Sequence, residues 1–216
     1  MGSLLLPDGR LQVACVGAHP DDLEIALGGT LLQLARRGGV SVSSVTMTGS
    51  SERRREAEGA AEAFVPGSST LFHDLPDGRL PEHWGTVKQL LEDFGASSPT
   101  PDVVMAPRVD DAHQDHRVLG QLAPTVWRSA LVLHYEIPKW DGDMGRPNTY
   151  VPVEPELAER KFQLLDEHYG SQRGRDWWDR ELFLGFMRVR GMECRAQYAE
   201  AFVVSKMTMS VLADTT

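Results

Sequence analysis

Cysteine is scarce. Cys15 and Cys194 are the two in 216 residues, too few for a disulfide framework or a four-cysteine zinc site, and a reducing cytoplasm suits such a chain. Basic charge is also in short supply: 22 Lys and Arg against 31 Asp and Glu leave a formal net charge of -9. That balance repels a polyanion, so nucleic acid is not an expected partner. No apolar run approaches the roughly 18 residues of a membrane span, and "MGSLLLPDGR" lacks the basic n-region of a leader. The expectation is a protein neither secreted nor embedded in a membrane. Glycine signatures for phosphate are missing too. The first strand-to-helix turn reads "GAHPDDLE", with neither G-x-G-x-x-G nor a P-loop, and its carboxylates would oppose a pyrophosphate at a helix N-terminus. G-x-S-x-G is absent, which argues against an α/β-hydrolase serine, and neither cysteine has a histidine close to it in sequence. "DGDMG" at 141–145 has Pro152 where a calcium loop needs its twelfth-place Glu, and reads as a turn.

What the chain does have is alternation. Apolar, β-rich runs at 11–16, 40–48, 69–72, 102–106, 130–137 and 199–204 read as strands. Helical patterns lie between and around them at 25–37, 52–64, 86–94, 116–127, 155–168 and 180–190. Near-continuous apolar strands separated by helices predict βαβ units and a mostly parallel, Rossmann-like sheet covered on both faces, a three-layer αβα sandwich. No internal repeat or interdomain linker breaks it, so residues 1–216 are expected to form a single domain, with the late helices at 155–190 contributing to a pocket wall. The Pro- and Gly-rich stretch 136–155 reads as an ordered excursion before those helices.

Ligands bind open parallel sheets beyond the carboxyl ends of the strands. "AHPDD" at 18–22 lies at such an end, and "DDAHQDH" at 110–116 lies at another, after the strand "DVVMAP". If their strands are neighbours, the two clusters converge. Together they offer His19, Asp21, Asp22, Asp111, His113, Asp115 and His116, from which two imidazoles and one carboxylate make a three-ligand zinc site with an open, catalytic position. The alternative is ordinary: a lone Asp in such a turn is usually a helix cap, and Asp22 is placed to be one. Three of the seven histidines fall in these two short windows, which favours the metal reading over isolated caps.

With "AHPDDLE", the arginine-rich "SERRREAE" after the second strand, and "DAHQDH", the chain resembles the PIG-L/LmbE-like family of zinc-dependent N-acetylglucosaminyl de-N-acetylases. "YAEAF" at 198–202 is similar to the family's final strand. The resemblance implies that His19, Asp22 and His116 bind one Zn²⁺ per chain, for which another divalent metal can substitute. It implies that Asp21 is the general base and that His113 is a second catalytic group oriented by Asp115. Chemistry alone does not separate Asp21 from Asp22. One branch of the family has a tyrosine two places before the histidine that here is His113, where this chain has Asp111.

Amide hydrolysis needs an activated water, a stabilised oxyanion and a proton for the leaving nitrogen. Zinc would lower the pKa of water and polarise the acyl oxygen; Asp21 would accept the water proton, and a cationic His113, supported by Asp115, would stabilise the oxyanion and help protonate the amine. The expected function is removal of an N-acetyl group from an amino sugar or similar small polar substrate. An amidase for a larger acyl or thiol conjugate, and a catalytically inactive metal-binding protein, are the alternatives. Arg53, which with Glu56 fits the family's R-x-x-E spacing, is expected at the substrate, as are Glu136 and Trp140 from the 136–155 stretch.

Overall fold

A computed structural model describes residue 6 and residues 9–208 of the chain. Seven strands form one sheet: β1 (Leu11–Gly17), β2 (Val40–Thr46), β3 (Ser69–Phe72), β4 (Val103–Pro107), β5 (Leu131–Tyr135), β6 (Thr149–Val153) and β7 (Tyr198–Val203). Six α-helices flank it: α1 (Asp22–Arg37), α2 (Ser51–Phe64), α3 (Trp84–Ser97), α4 (Gln114–Val126), α5 (Pro155–His168) and α6 (Arg180–Cys194). The strand order is β3-β2-β1-β4-β5-β7-β6. The first five strands run parallel, as the alternation predicts. The order reverses direction between β1 and β4, and such a switch point leaves a crevice beyond the strand ends.

Alternation along the central strands divides the core in two. Leu11, Val13 and Cys15 of β1 face one apolar cluster, with residues of α1, α2 and α5; Ala14 and Val16 face the other, with residues of α3 and α4. Strand β4 divides the same way, Val103 and Met105 against Val104 and Ala106. Two buried faces explain why these strands read as continuous apolar runs rather than as alternating ones.

The far edge departs from the expectation. β7 is antiparallel to both β5 and β6, and β6 falls inside the stretch read as an excursion. Thr149–Val153 carries Pro152, which argues against a central strand; β6 escapes that penalty because it is the outermost strand. Among the described residues no helix is long and apolar enough to cross a membrane. Residues 1–5, which include most of the leader-region leucines, lie outside the described residues.

Candidate active site

β1 and β4 are neighbours, so the turn after each opens onto the same crevice. The first turn is locked from below and beside. Met47 N donates to Gly17 O at 3.2 Å, and Thr48 N and Oγ1 donate to Ala18 O at 3.1 and 2.7 Å. Gly49, at φ +120°, lets Pro20 lie where any Cβ would collide with it, 2.3 Å from the proline Cγ. On the second side, a Cβ at Gly120 would stand 2.4 Å from Arg108 O, so glycine lets α4 press against the chain leaving β4.

Asp21 occupies the N-cap place of α1, yet its side chain makes no capping bond. The ordinary reading of this carboxylate as a cap therefore fails, and the same holds for Asp22, which is the first helical residue. Asp22 instead folds back. Its Oδ2 accepts from Ala18 N at 3.0 Å and His19 N at 2.8 Å, which fixes the oxygen inside the turn.

Three donors meet there. Asp22 Oδ2 lies 3.3 Å from His19 Nδ1 and 3.3 Å from His116 Nε2, and the two nitrogens are 3.2 Å apart. A tetrahedral ion with donor distances of about 2.0 to 2.1 Å needs donor–donor edges of about 3.3 to 3.4 Å. The triangle has that size before any ion enters, so the residues fit a zinc-like cation. Each histidine is backed by carboxylate on its other nitrogen: His116 Nδ1 by Asp111 Oδ1 at 3.1 Å, His19 Nε2 by Asp77 Oδ1 at 3.0 Å and Asp115 Oδ2 at 3.5 Å. Such partners set the tautomer and the orientation of metal-binding imidazoles.

The electrostatics agree. Burial alone would raise the Asp22 carboxyl, but His116, Lys139 and His19 hold it well below the usual range. Burial would lower both histidines; Asp22 and the backing carboxylates outweigh it, raising His19 well above its ordinary value and His116 to about 9. The raised histidines hold protons in competition with a cation, so metal binding at these nitrogens is coupled to proton release.

Asp21 is divided between its two oxygens. Oδ1 accepts from Arg53 Nη2 at 2.9 Å and Lys139 Nζ at 3.3 Å, whereas Oδ2 is buried with no hydrogen-bond partner among the described residues. A buried, unpaired carboxylate oxygen beside a cation-sized triangle is costly unless it has chemistry to do.

His113 caps α4, and its surroundings differ from the two expectations made of it. Asp115 does not orient it with its carboxylate: both Asp115 oxygens are taken by the backbone, Gly78 N at 2.7 Å and Leu80 N at 3.0 Å, with one also near His19. The contact runs through the main chain, Asp115 N donating to His113 Nδ1 at 3.2 Å. The surroundings of His113 also favour its neutral form over the expected cation. Burial, with His116 and His19 beside it, lowers its pKa, and with Nδ1 accepting a hydrogen bond the neutral ring carries its proton on Nε2. The ring stands 4.5 Å from that of His116.

The three recognition residues fare differently. Arg53 reaches the site through Asp21, while Glu56, three residues on, accepts from Ser171 N and Oγ and so ties α2 to the connection between α5 and α6. Trp140 is 63% exposed on the β5–β6 connection, its indole donating to Asp176 at 2.8 Å beside Trp177. Glu136, expected at the substrate, has both its oxygens on Arg190, at 3.0 and 2.7 Å, in a buried ion pair. Sequence reasoning passed over Asp77 and Lys139. Asp77 follows β3 at the same sheet edge, a place that marked it; Lys139 stands among turn residues whose path only the fold reveals.

Residues 14–127, more than half of the chain and both clusters with it, match the model of the PIG-L family, GlcNAc-PI de-N-acetylase. The chain belongs to the PIG-L family. As a member it is an enzyme, a deacetylase that hydrolyses an amide. It is 28% identical over 171 residues to the uncharacterized deacetylase YaiS of Escherichia coli K12, covering 74% of this chain and 91% of that one. The structure of N,N'-diacetylchitobiose deacetylase from Pyrococcus horikoshii is similar, with a TM-score of 0.67, 24% identity and coverage of 91% and 84% of the two chains. So is that of the 4-carboxy-2-hydroxymuconate hydratase GalB from Pseudomonas putida KT2440, at a TM-score of 0.72 and 17% identity over 95% of this chain and all of that one. One fold thus carries a deacetylase and a hydratase, and the PIG-L site has to be argued from its own residues.

Proposed function

We propose that this PIG-L protein removes an N-acetyl group from an amino sugar or a similar small polar substrate, using one Zn²⁺ per chain held by His19, Asp22 and His116. The observation that carries the proposal is the triangle of 3.2 to 3.3 Å donors beside the unpartnered Oδ2 of Asp21. Two imidazoles and one carboxylate suit a borderline ion such as zinc. When bound, zinc supplies Lewis acidity and a more acidic water.

The chain's own groups do the rest. Asp21 Oδ2 accepts the proton of the attacking water, while Arg53 and Lys139 hold its other oxygen. His113, neutral and protonated on Nε2, donates a hydrogen bond to the oxygen of the tetrahedral adduct. Asp21, now protonated, passes that proton to the departing amine nitrogen. A neutral His113 is a poor acid, which is why we give both proton transfers to Asp21. Trp140 offers an exposed ring face on which a sugar can stack, and the connection bearing Ser171 and Trp177 forms the adjoining wall. The family description and the diacetylchitobiose relative support a sugar-like substrate. Two free cysteines, one of them buried, support a cytoplasmic setting.

The test is a mass-spectrometric screen in which zinc-loaded protein is incubated with N-acetylated amino sugars and, in parallel, with analogues bearing bulky acyl groups. Loss of one acetyl group from an amino sugar is the expected result. Cleavage confined to the bulky amides would replace the deacetylase reading with the larger-acyl amidase, and no cleavage by metal-replete protein would contradict both.

A further inference from the structure

Lys139 enters the site from the β5–β6 connection, far in sequence from both motifs. Its ammonium lies 3.3 Å from Asp21 Oδ1 and 3.3 Å from Asp22 Oδ1, and 5.4 Å from the centre of the Trp177 ring; the side chain is 14% exposed. Neither oxygen it touches is a working one. Asp22 presents Oδ2 to the donor triangle, and Asp21 keeps Oδ2 unpartnered.

A buried ammonium beside a cation site is costly twice over, through desolvation and through repulsion of the metal. Its placement on the two idle oxygens gives that arrangement a use. Asp22 Oδ2 is already fixed by the Ala18 and His19 amides, so Lys139 decides what Oδ1 does: without it, Oδ1 would be able to join Oδ2 on a metal, and Asp21 Oδ1 would keep Arg53 as its one remaining anchor. Arg53 restrains Asp21 alone. Among the described residues, Lys139 is the one Lys or Arg that pairs with both carboxylates.

We propose that Lys139 is a positioning residue that divides each carboxylate into a held and a working oxygen, keeping Asp22 a one-oxygen ligand and Asp21 Oδ2 aimed at the water. The proposal rests on the metal-hydrolase reading above.

The test uses the full chain loaded with Co²⁺, whose visible absorption weakens as coordination rises from four to five. In Lys139→Met the bands should weaken relative to wild type as Asp22 engages through both oxygens. Deacetylation kcat should fall by about 10 to 100-fold, the usual consequence of losing such an outer partner, with KM little changed. Lys139→Arg, which keeps the charge and its donors, should recover most of the band intensity and most of kcat. Should Lys139→Met prove unstable, Lys139→Gln supplies the same comparison. A neutral variant with the wild-type cobalt spectrum overturns the proposal while leaving the metal reading intact. Wild-type protein that takes up no cobalt overturns the metal reading, and the role of Lys139 with it.

Discussion

The β5–β6 connection enters two buried charge clusters three residues apart, through Glu136 and through Lys139, and they are built on opposite plans. Around Glu136 every charge is answered. Arg190 holds both Glu136 oxygens and is itself held by Glu193 at 3.0 Å; Arg108, 3.8 Å from Glu136, is held by Asp110 and Asp143. Around Asp21 and Asp22 the pairing stops short, leaving Asp21 Oδ2 alone and three donors converging on a gap of ionic size. Burial and charge are common to both clusters. What separates structural chemistry from reactive chemistry here is whether the pairing is complete.

The sharpest break in that comparison is the removal of a donor from the incomplete set. Asp22→Ala should reduce bound zinc from about one per chain to near zero while circular dichroism shows the fold retained, and deacetylation should vanish with the metal; full zinc content by elemental analysis would place the ligands elsewhere. Next in size, His113→Ala should keep its zinc and lose about 10² to 10³-fold in kcat, the usual effect of deleting one oxyanion donor. A loss confined to KM would mean that His113 binds substrate only.

In the complete cluster the effect should move from rate to stability. Glu136→Ala leaves Arg190 with Glu193 and Arg108 with Asp110 and Asp143, and denaturant unfolding should report a loss of about 1 to 3 kcal/mol for the two buried hydrogen bonds removed. The KM of the folded fraction should stay close to wild type; a large rise would return Glu136 to the substrate. The smallest effect concerns His134, whose Nδ1 donates to Pro107 O at 2.7 Å while its Nε2 is buried without a partner. Burial lowers its pKa, so the folded protein favours the neutral ring, and the stability this contributes is present above about pH 6.5 and lost as the pH falls. Chemical denaturation should therefore show the gap between wild type and His134→Gln narrowing below that pH. His134 also sharpens the rule: an unpaired atom on a neutral ring is tolerated structurally, whereas on a carboxylate it marks a site.

The parallel half of the sheet and its two clusters were legible because they obey local rules. Strands buried on both faces are continuous apolar runs, and ligands gather after strand ends, so the His and Asp residues of 18–22 and 110–116 could be grouped from the sequence, while the choice of His19, Asp22 and His116 among them came from the family resemblance. β6 was not legible, because its Pro152 is acceptable only at an edge and nothing local says where the edge is. The partner of Asp115 was not legible either. The family resemblance implied His113, but the helix turns the Asp115 carboxylate towards Gly78, Leu80 and His19, leaving its amide for His113. Glu136 and Lys139 look alike in sequence as charged residues of one loop. One is sealed into an ion pair and the other reaches the site, a difference of path that residue types do not encode.

The account rests most heavily on the separate roles of two adjacent carboxylates, and one paired measurement tests it: zinc content and kcat of Asp21→Asn beside Asp22→Asn, on a substrate established with the wild-type protein. Asp21→Asn should keep its zinc and lose about 10² to 10⁴-fold in kcat, because the amide cannot accept the water proton. Asp22→Asn should lose the metal. The reverse pattern, with zinc lost from Asp21→Asn and retained by Asp22→Asn, would contradict the assignment, as would full activity in Asp21→Asn.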